Sequence, residues 1–295
     1  MKIVVTGSTG MLGSSVMAHL KASGHEAVGV DLLHPDPASR VDISDWEAVR
    51  AFKPLRDCGL LLHLAAATDV DRCEKDPDMA FKANALAPEL LARVCAETGA
   101  TMVQVSTGSV FAGNPKREPY TEYDSVAPMS VYAWSKLRGE EAVRERHARH
   151  FIVRAGWMMG GATEDKKFVG KIAAQLLEGK RKLMAVSDKR GSPTYTLDFA
   201  RNLMLLVESG QHGTYHMANH GTCSRDEMAR KIASFLGVDA VVEPVPSSFF
   251  PLPAHRPDSE CLRNLKLELL GLDRMPQWEK SLEDYLKILV PALKK

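Results

Sequence analysis

One tyrosine and one lysine are spaced in this chain so that they could move a proton together. Tyr132 and Lys136 form its only Tyr-x-x-x-Lys pattern, although the sequence contains six tyrosines. Residues four positions apart share one face of a helix, so the phenol and the ammonium could line one cleft. An unperturbed phenol has a pKa of about 10, and a neighbouring cation favours its ionised form. The pattern predicts a general acid whose pKa Lys136 lowers; amphipathic packing would explain the spacing equally well.

A hydroxyl group at the end of a predicted strand is a second candidate. Residues 102–105, which are apolar except for Gln104, predict a strand that runs into Ser106 and Thr107. In open α/β sheets, ligands bind beyond the carboxyl ends of the strands. We therefore expect Thr107 to hydrogen-bond a substrate carbonyl and the Tyr132 hydroxyl, with an ordinary turn as the structural alternative.

A glycine-rich loop lies between the first predicted strand and the first predicted helix. It reads Gly-Ser-Thr-Gly-Met-Leu-Gly over residues 7–13. Such glycines allow a tight turn, a close approach of the backbone to a pyrophosphate, and close packing of helix on strand. The amino end of the helix then offers unpaired N–H groups to the phosphates. The expected dinucleotide contacts are Gly7, Thr9, Gly10, Met11, Leu12 and Gly13.

An acidic residue ends the second predicted strand. Asp31 stands eighteen positions after Gly13. A carboxylate there can accept hydrogen bonds from the adenosine ribose hydroxyls of NAD. No arginine follows at once to meet the 2′-phosphate of NADP, although Arg40 is near. The cofactor is expected to be NAD(H) or NADP(H), with a preference that favours NADH or is mixed; a solvated aspartate is the alternative.

The elements that must position these residues alternate along the chain. The predicted strands cover residues 2–6, 27–30, 60–64, 102–105 and 151–154. The predicted helices cover residues 11–22, 45–52, 77–98 and 131–147. Strands alternating with helices of this length predict βαβ units and a parallel sheet buried on both faces. The fold class is therefore α/β.

This alternation changes after about residue 155. Loop-like residues become more frequent, and a proline-rich segment covers residues 244–257. Further helices are predicted over 166–177, 197–207, 225–236 and 279–289. The carboxyl-terminal part is therefore expected to be organised differently from the first.

Composition argues against several classes of protein. The chain has 295 residues, of which 45% are hydrophobic and 25% charged, so it can bury a core. Lys and Arg number 38 against 37 Asp and Glu, which gives no overall basic field for nucleic acid. No apolar run approaches the ~18 residues of a membrane span, and the first residues do not resemble a signal peptide, so we expect a cytoplasmic protein. The five cysteines include no CxxC pair, which disfavours a zinc ribbon or a disulfide framework.

Taken together, these segments resemble the extended short-chain dehydrogenase/reductase family and, within it, the dTDP-4-dehydrorhamnose reductases. The resemblance is carried by the glycine loop, Ala65-Ala66-Ala67, Asn84, Ser106-Thr107, the Tyr132/Lys136 pair, and the segments 106–113, 131–140, 154–157, 191–194, 256–257 and 276–278. It implies a Rossmann domain with a doubly wound parallel sheet, and a smaller, mostly C-terminal α/β lobe for a sugar nucleotide. The expected Rossmann domain covers 1–155 with a returning segment near 194–213, and the substrate lobe covers 156–193 and 214–295.

The resemblance also implies roles for single residues. Thr107, Tyr132 and Lys136 would be catalytic, and Thr107, Trp157 and Arg256 would contact the sugar nucleotide. Arg256 would meet a phosphate, and Trp157 would stack on a sugar or base, although core packing explains Trp157 equally well. The further cofactor contacts would be Asp42, Ile43, Ala65, Ala66, Ala67, Asn84, Ser106, Tyr132 and Lys136.

Several positions depart from the pattern of that family. Gly108-Ser109 stands where Asp-Tyr is usual, and Glu260 stands where the Arg-Pro-x-x-Ser-x-Leu pattern has serine. The segment 189–191 lacks the usual glutamine, and Ser15 replaces a glutamate that serves an interface magnesium site in some members. Because these positions face substrate or metal, the reductase chemistry is better supported than the identity of the sugar.

A metal site is not expected. His216 and His220 have the helical spacing of metal ligands, but residues 214–217 predict a strand, which would direct the two rings apart. No third ligand is evident in the sequence.

The predicted function is NAD(P)H-dependent reduction of a nucleotide-linked 4-keto-6-deoxy sugar, with dTDP-4-dehydrorhamnose to dTDP-rhamnose as the first choice. Tyr132 would donate a proton while Thr107 holds the carbonyl. A related sugar-nucleotide epimerase or dehydratase is one alternative, and Gly108-Ser109 disfavours the dehydratase. A non-catalytic dinucleotide-binding regulatory subunit, similar to the beta subunit of methionine adenosyltransferase, is the other. The expected partners are a nucleotide-sugar substrate and a second copy in a homodimer.

Overall fold

The secondary structure comes from a computed structural model that describes residues 1–113, 118–162 and 165–294. In chain order, its strands are β1 (Lys2–Thr6), β2 (Glu26–Val30), β3 (Leu60–His63), β4 (Thr101–Thr107), β5 (His150–Ala155), β6 (Trp157–Met159), β7 (Lys182–Val186), β8 (Arg190–Gly191), β9 (Pro193–Tyr195), β10 (Gly213–His216), β11 (Cys223–Ser224), β12 (Val241–Val245) and β13 (Ser259–Glu260). The helices are α1 (Met11–Ala22), α2 (Trp46–Ala51), α3 (Lys53–Asp57), α4 (Val70–Lys75), α5 (Pro77–Phe81), α6 (Ala87–Thr98), α7 (Val131–Arg146), α8 (Phe168–Leu177), α9 (Thr196–Ser209), α10 (Arg225–Phe235), α11 (Leu265–Leu269) and α12 (Trp278–Leu293).

A six-stranded parallel sheet in the order β10-β5-β4-β3-β1-β2 forms the centre of the molecule. Side chains of one strand alternate between its two faces. On β1, Ile3 and Val5 join the core under α1 and α9, whereas Val4 joins the core under α2, α3 and α6. Helices therefore cover both faces, and the predicted doubly wound α/β sheet is confirmed.

The topology brings the candidate residues to one edge of the sheet. From β1 the chain goes outward to β2 and then returns to β3 on the other side of β1. Ligands bind in the crevice that such a reversal opens at the carboxyl ends of the strands. The glycine loop follows β1, Ala65 to Ala67 follow β3, and Thr107 ends β4. The sheet thus places three segments that are far apart in the sequence around one crevice.

The helix predicted over 77–98 is interrupted. The chain is helical from Pro77 to Thr98, but Lys82–Leu86 forms a π-helical turn between α5 and α6. Pro88 has no N–H to donate to the carbonyl of Asn84, and its ring would clash with that carbonyl in an ordinary α-helix. In the packed helix α7, a Cβ on Gly139 would lie 2.1 Å from that carbonyl oxygen. The proline and the close contact with Gly139 together explain a turn that helical periodicity does not predict.

The second lobe is built from short strands and three longer helices. Its sheets have the orders β11-β8-β13, β12-β7 and β6-β9, and α8, α10 and α12 enclose its core. The strand β10 pairs with β5, so the chain segment that returns to the main sheet reaches His216 rather than residue 213. Of the predicted lobe, Thr163, Glu164 and Lys295 lie outside the described residues.

Two properties of the described chain bear on its environment and chemistry. None of its described helices combines the length and apolar character that crossing a membrane requires. All five cysteines are free thiols with buried side chains. Burial raises the pKa of the Cys58 thiol to about 11, so this thiol stays protonated near neutral pH.

Candidate functional site

The glycine loop forms a cradle that side chains would fill. Gly7 has a φ of +71°, and a Cβ there would lie 2.6 Å from the backbone nitrogen of Ala65. A Cβ on Gly13 would lie 2.0 Å from the carbonyl oxygen of Gly7. Helix α1 begins after Gly10, and no side chain caps its first N–H groups. These residues fit a dinucleotide, because the unpaired N–H groups and the helix dipole favour a pyrophosphate.

Asp31 lies beside this loop. Its Oδ2 accepts a hydrogen bond from the backbone nitrogen of Thr9 at 3.3 Å, and its Oδ1 accepts one from Leu33 at 2.9 Å. Arg40 donates to the carbonyls of His34 and Pro35 at 2.6 and 3.3 Å, and its side chain is exposed. The carboxylate is therefore near the loop, where the ribose is expected, and Arg40 lies in the loop that follows β2.

Other predicted cofactor residues surround this crevice in different ways. Leu12 is only 8% exposed and belongs to the core, so its backbone rather than its side chain is available to a ligand. Asp42 accepts a hydrogen bond from Ser44 at 2.9 Å and lies 3.6 Å from Lys82. Ile43 packs against the core under α2 and α6. Met11 lies next to Gly161 of the second lobe.

Asn84 connects the loop after β3 to helix α7. Its side chain is 1% exposed and lies on the π-helical turn. Its Oδ1 accepts a hydrogen bond from the Ala67 nitrogen at 2.9 Å, and its Nδ2 donates to Ala67 O at 3.1 Å and Ser135 Oγ at 3.0 Å. Both the oxygen and the nitrogen of the Asn84 side chain are thus hydrogen-bonded to other residues of the protein. Asn84 therefore holds Ala65 to Ala67 in place, and a direct contact with a cofactor stays a prediction.

Tyr132, Thr107 and Lys136 come together as expected. Tyr132 and Lys136 lie on α7, whose first turn is capped by the Ser130 hydroxyl, and the Tyr132 phenol lies near enough to Thr107, at the end of β4, for that hydroxyl to lower the pKa of the phenol. Lys136 is 4% exposed, and its Nζ donates to the carbonyl oxygen of Val105 at 2.7 Å. Ser106 is buried on β4 beside them. Helix α7 and strand β4 thus present a phenol, a hydroxyl and an ammonium at one place.

The electrostatics differ from the sequence-based expectation. Burial raises the pKa of Tyr132 to about 12, against a lowering effect of the Thr107 hydrogen bond and a further raising effect of Glu260. The ammonium of Lys136 is bonded to the β4 carbonyl, and burial lowers its own pKa to about 8. Burial and, to a smaller extent, the charge of Lys136 lower the pKa of the neighbouring His63 to about 3. The phenol is therefore held as a neutral acid in this structure.

A carboxylate of the second lobe, Glu260, is linked to Thr107 through Ser109. Thr107 Oγ1 donates to Ser109 Oγ at 3.1 Å, and Ser109 Oγ donates to Glu260. Glu260 also accepts a hydrogen bond from Trp157 Nε1 at 2.7 Å. The guanidinium of Arg225 lies 3.7 Å from the centre of the Trp157 ring. The unusual residues at 109 and 260 were the signal for this group; nothing in the sequence pointed to Arg225.

Trp157 and Arg256, the predicted substrate residues, are both engaged with protein. The backbone of Gly191 packs on the Trp157 ring, because a Cβ there would lie 2.3 Å from Cε2. Arg256 donates to both carboxylate oxygens of Asp71 on α4, at 3.0 and 2.7 Å. Hydrogen bonds from Arg256 hold the pKa of Asp71 below its usual range. Arg256 thus connects the proline-rich arm to the Rossmann part, and its contact with a phosphate stays a prediction.

Among the described residues, no group of possible metal ligands contains both His216 and His220. His216 is 0% exposed on β10, whereas His220 lies with Glu268 and Asp273, whose ligand atoms are all within 4.8 Å of one another. Arg263 donates to Glu268 at 2.7 Å, so this carboxylate is already paired.

Ser15, the position where some family members have a glutamate, lies between two helices. Its hydroxyl on α1 donates to Thr196 at the start of α9, at 2.8 Å.

Two comparisons with known proteins each match nearly the whole chain. A family profile described as "RmlD substrate binding domain" matches residues 1–290. A dTDP-4-dehydrorhamnose reductase of Mycobacterium tuberculosis is 36% identical over 286 residues, which cover 95% of this chain and 91% of that protein.

Two solved structures are similar along nearly their whole length. A dTDP-4-dehydrorhamnose reductase of Clostridium acetobutylicum is 36% identical with a TM-score of 0.91, covering 98% of this chain and 100% of that one. A dTDP-4-dehydrorhamnose reductase of Bacillus anthracis, solved in complex with NADP, is 32% identical with a TM-score of 0.90, covering 97% and 98%. The fold of nearly the whole chain is therefore shared with chains of known structure.

Proposed function

This chain belongs to the RmlD substrate binding domain family, and from that membership we propose that it reduces dTDP-4-dehydrorhamnose to dTDP-rhamnose with NADH or NADPH. The observation that carries the proposal is the Tyr132 phenol, which lies beside Thr107 at the carboxyl end of β4. Ligands of open α/β sheets bind at that edge. Relatives named for this reaction match nearly the whole chain, and one relative's structure contains NADP.

In this proposal some residues of the chain bind the cofactor and the substrate, and Tyr132 transfers a proton. When bound, the reduced nicotinamide supplies the hydride. The amide groups of the glycine loop hold the pyrophosphate, and Asp31 accepts hydrogen bonds from the adenosine ribose. Thr107 orients the keto oxygen, and Tyr132 gives it a proton as negative charge develops. Lys136 fixes the position of the phenol's helix against β4 and offers its ammonium to a ribose hydroxyl.

We assign the sugar nucleotide to the second lobe, formed by residues 156–193 and by the chain after β10. The basic side chains of Lys167 and Arg225 lie there close enough for their charges to repel. These two cations, of which Arg225 lies over the Trp157 ring, suit a diphosphate group. The cytoplasm as the place of reaction and a homodimer as the assembly are further proposals, and light scattering of the purified protein tests the second.

The proposal is tested by mixing purified protein with dTDP-4-dehydrorhamnose and, separately, NADH and NADPH. We expect cofactor absorbance to fall in proportion to the sugar nucleotide added, with dTDP-rhamnose as the product. Omitting the sugar nucleotide, or replacing it with dTDP-glucose, which lacks the keto group, should give no loss of absorbance. Binding of both ligands without turnover would instead indicate the regulatory subunit.

A further inference from the structure

Glu260 is linked to both parts of the cleft in which the proposed function places the ends of the substrate. On one side, Ser109 Oγ donates to one of its carboxylate oxygens, and Thr107 Oγ1 lies 3.1 Å from Ser109 Oγ. On the other side, Trp157 Nε1 donates to its second oxygen at 2.7 Å, and the guanidinium of Arg225 lies 3.7 Å from the centre of the Trp157 ring. The carboxylate therefore lies between Thr107, assigned to the keto oxygen, and Arg225, assigned to the diphosphate.

The proposed substrate carries its functional groups in the same order. The keto group is on C4 of the hexose and the diphosphate is on C1, at opposite ends of the six-membered ring. One edge of the ring carries the hydroxyl groups of C2 and C3, and the other edge carries the ring oxygen and the methyl group on C5. An ionised carboxylate only accepts hydrogen bonds, so it matches the edge that has the hydroxyl donors.

Glu260 has acceptor positions that the protein does not use. An ionised carboxylate offers about four lone-pair positions, and within the described part of the chain only Ser109 and Trp157 donate to it. Glu260 is partly exposed, as are these two partners. The remaining positions are therefore available to hydroxyl groups of a ligand.

The protein holds this carboxylate in one place before a substrate binds. Its two oxygens are bonded to donors on different segments, Ser109 after β4 and Trp157 at the start of β6. Trp157 is itself fixed, because the backbone of Gly191 packs on its ring and the guanidinium of Arg225 lies over it. Arg225 also attracts the charge of Glu260. An acceptor fixed in this way loses little conformational entropy on binding, which favours affinity for a matching hydroxyl group.

Ser109 and Glu260 are both positions where this chain departs from its family's pattern. They stand 151 residues apart in the sequence and meet across the two lobes. The neighbouring Gly108 allows the segment that carries Glu260 to come close, because a Cβ there would lie 3.2 Å from the Leu262 side chain. The two departures therefore contribute to one contact on the substrate side of the cleft.

We propose that Glu260 is a specificity-determining residue that accepts hydrogen bonds from the C2 and C3 hydroxyl groups of the hexose. The inference rests on the proposed function, which places the keto oxygen at Thr107 and the diphosphate beside Arg225. Glu260 transfers no proton in this role. A site that hydrogen-bonds hydroxyl groups discriminates against sugars that lack them, because its acceptors are then left unpaired. Sugar nucleotides without hydroxyl groups on C2 and C3 should therefore be poor substrates.

Comparing dTDP-rhamnose with dTDP isolates the contribution of the sugar to binding. Calorimetric titration without cofactor, so that no reaction takes place, measures both affinities for the wild type and for Glu260→Gln. In the variant the amide oxygen faces the Trp157 donor and the NH₂ group faces Ser109, so no charged acceptor remains for the sugar. We expect the affinity for dTDP-rhamnose to fall about 10–100-fold, the range for hydrogen bonds to a charged group, and the affinity for dTDP to stay the same.

Asp258→Asn is the matched control, because it removes an exposed carboxylate two positions from Glu260 that pairs with Lys189. Its affinities for both ligands should equal those of the wild type, and thermal unfolding of each variant checks that it is folded. An equal loss of affinity for dTDP and dTDP-rhamnose in Glu260→Gln would show a merely structural role and overturn the inference. So would an unchanged affinity for dTDP-rhamnose, or a wild type that binds it no more tightly than dTDP.

Steady-state kinetics separates this inference from the proposed function. With dTDP-4-dehydrorhamnose, Glu260→Gln should raise KM more than it lowers kcat, because the hydroxyl contacts are present in both the ground state and the transition state. A wild type that binds dTDP-rhamnose through Glu260 but reduces no keto sugar would contradict the proposed function and support the inference. A wild type that reduces dTDP-4-dehydrorhamnose with the same KM as Glu260→Gln would support the function and overturn the inference.

Discussion

The Tyr132 phenol lies beside Thr107 in a buried environment that opposes its ionisation. A neutral phenol suits a reduction, in which the tyrosine must give a proton to the developing alkoxide. The expectation that Lys136 lowers the pKa of Tyr132 depended on the two side chains sharing a helix face. The structure directs the ammonium to the carbonyl of Val105 instead, so the residue-scale chemistry depends on a neighbour that the spacing does not reveal.

Replacing Tyr132 with phenylalanine should remove the proton donor and little else. We expect kcat to fall by about 10²–10⁴-fold, the usual contribution of a general acid, while the affinity for NADPH stays nearly the same. Steady-state kinetics and fluorescence titration of NADPH measure the two effects. Tyr123→Phe is the matched control, because Tyr123 is 72% exposed and should tolerate the change. Near-normal turnover of Tyr132→Phe would remove Tyr132 from the mechanism.

Asp31 should influence the choice between NADH and NADPH. Its carboxylate lies beside the glycine loop and would repel a 2′-phosphate on the adenosine ribose. We expect Asp31→Ala to shift the ratio of kcat/KM values toward NADPH, and Glu26→Ala, at the exposed start of the same strand, to leave the ratio unchanged. A wild-type protein strongly selective for NADPH would show that Asp31 does not face the ribose.

At the scale of elements, a buried ion pair holds α7 against β5. Glu140 and Arg154 are 0% and 4% exposed, and Arg154 donates to both carboxylate oxygens at 2.9 and 2.7 Å. Burial alone would raise the pKa of Glu140, but the hydrogen bonds from Arg154 hold it below its ordinary value. Because α7 carries Tyr132 and Lys136, this pair helps to set the position of the site.

Glu140→Gln should therefore destabilise the protein by about 3–5 kcal/mol at pH 7, since Arg154 would keep a buried charge without its partner. The folded-state pKa of Glu140 is depressed, so its stabilisation is present above the unfolded pKa of about 4.5 and is lost as pH falls through the lower folded value. Urea unfolding should show a difference between variant and wild type that narrows below this pH. Glu141→Gln, next in sequence and paired with Arg138 at the surface, should cost much less. A constant difference at all pH values would contradict the assignment.

At the scale of the whole molecule, the Asp71–Arg256 pair connects the two lobes across the cleft. Asp71 also accepts a hydrogen bond from the backbone nitrogen of Ala254 at 3.1 Å, so one carboxylate holds both ends of a short turn in the arm. The proline-rich arm before Arg256 is stiff, because proline restricts φ. A stiff arm tied at one point keeps Glu260 and the rest of the second lobe at a fixed place over the Rossmann part.

Arg256→Ala should weaken sugar-nucleotide binding by about 1.5–3 kcal/mol, the range for a hydrogen bond to a charged group, and leave NADH binding unchanged. If Arg256 acts as a brace, Asp71→Ala should weaken binding by a similar amount, and the double variant should lose no more than either one. Calorimetric titration measures the affinity of the wild type, the two single variants and the double variant for dTDP and for NADH. Normal dTDP binding by Asp71→Ala, together with weak binding by Arg256→Ala, would indicate that Arg256 contacts the phosphate directly.

Much of this molecule follows from local properties of the sequence. Short β-branched and leucine runs predicted β1, β3, β4 and β5, because a strand buried on both faces needs apolar residues at every position. The glycine loop was predicted by the absence of side chains where strand, loop and helix must touch. Helix α7 and the Tyr132/Lys136 pair followed from helical spacing. These signals lie within a few residues of one another, so no tertiary information is required to find them.

The tertiary structure decided what depends on contacts between distant segments. The π-helical turn at Asn84 results from Pro88 together with the packing of Gly139 on another helix. The partner of Arg256 is a carboxylate on α4, 185 residues away in the sequence. Ser109 donates to Glu260, which lies 151 residues later in the sequence, and the two residues meet only because the lobes pack together. Sequence spacing determines which side chains share a face of one element, but the packing of elements determines which charges and hydrogen-bonding groups meet.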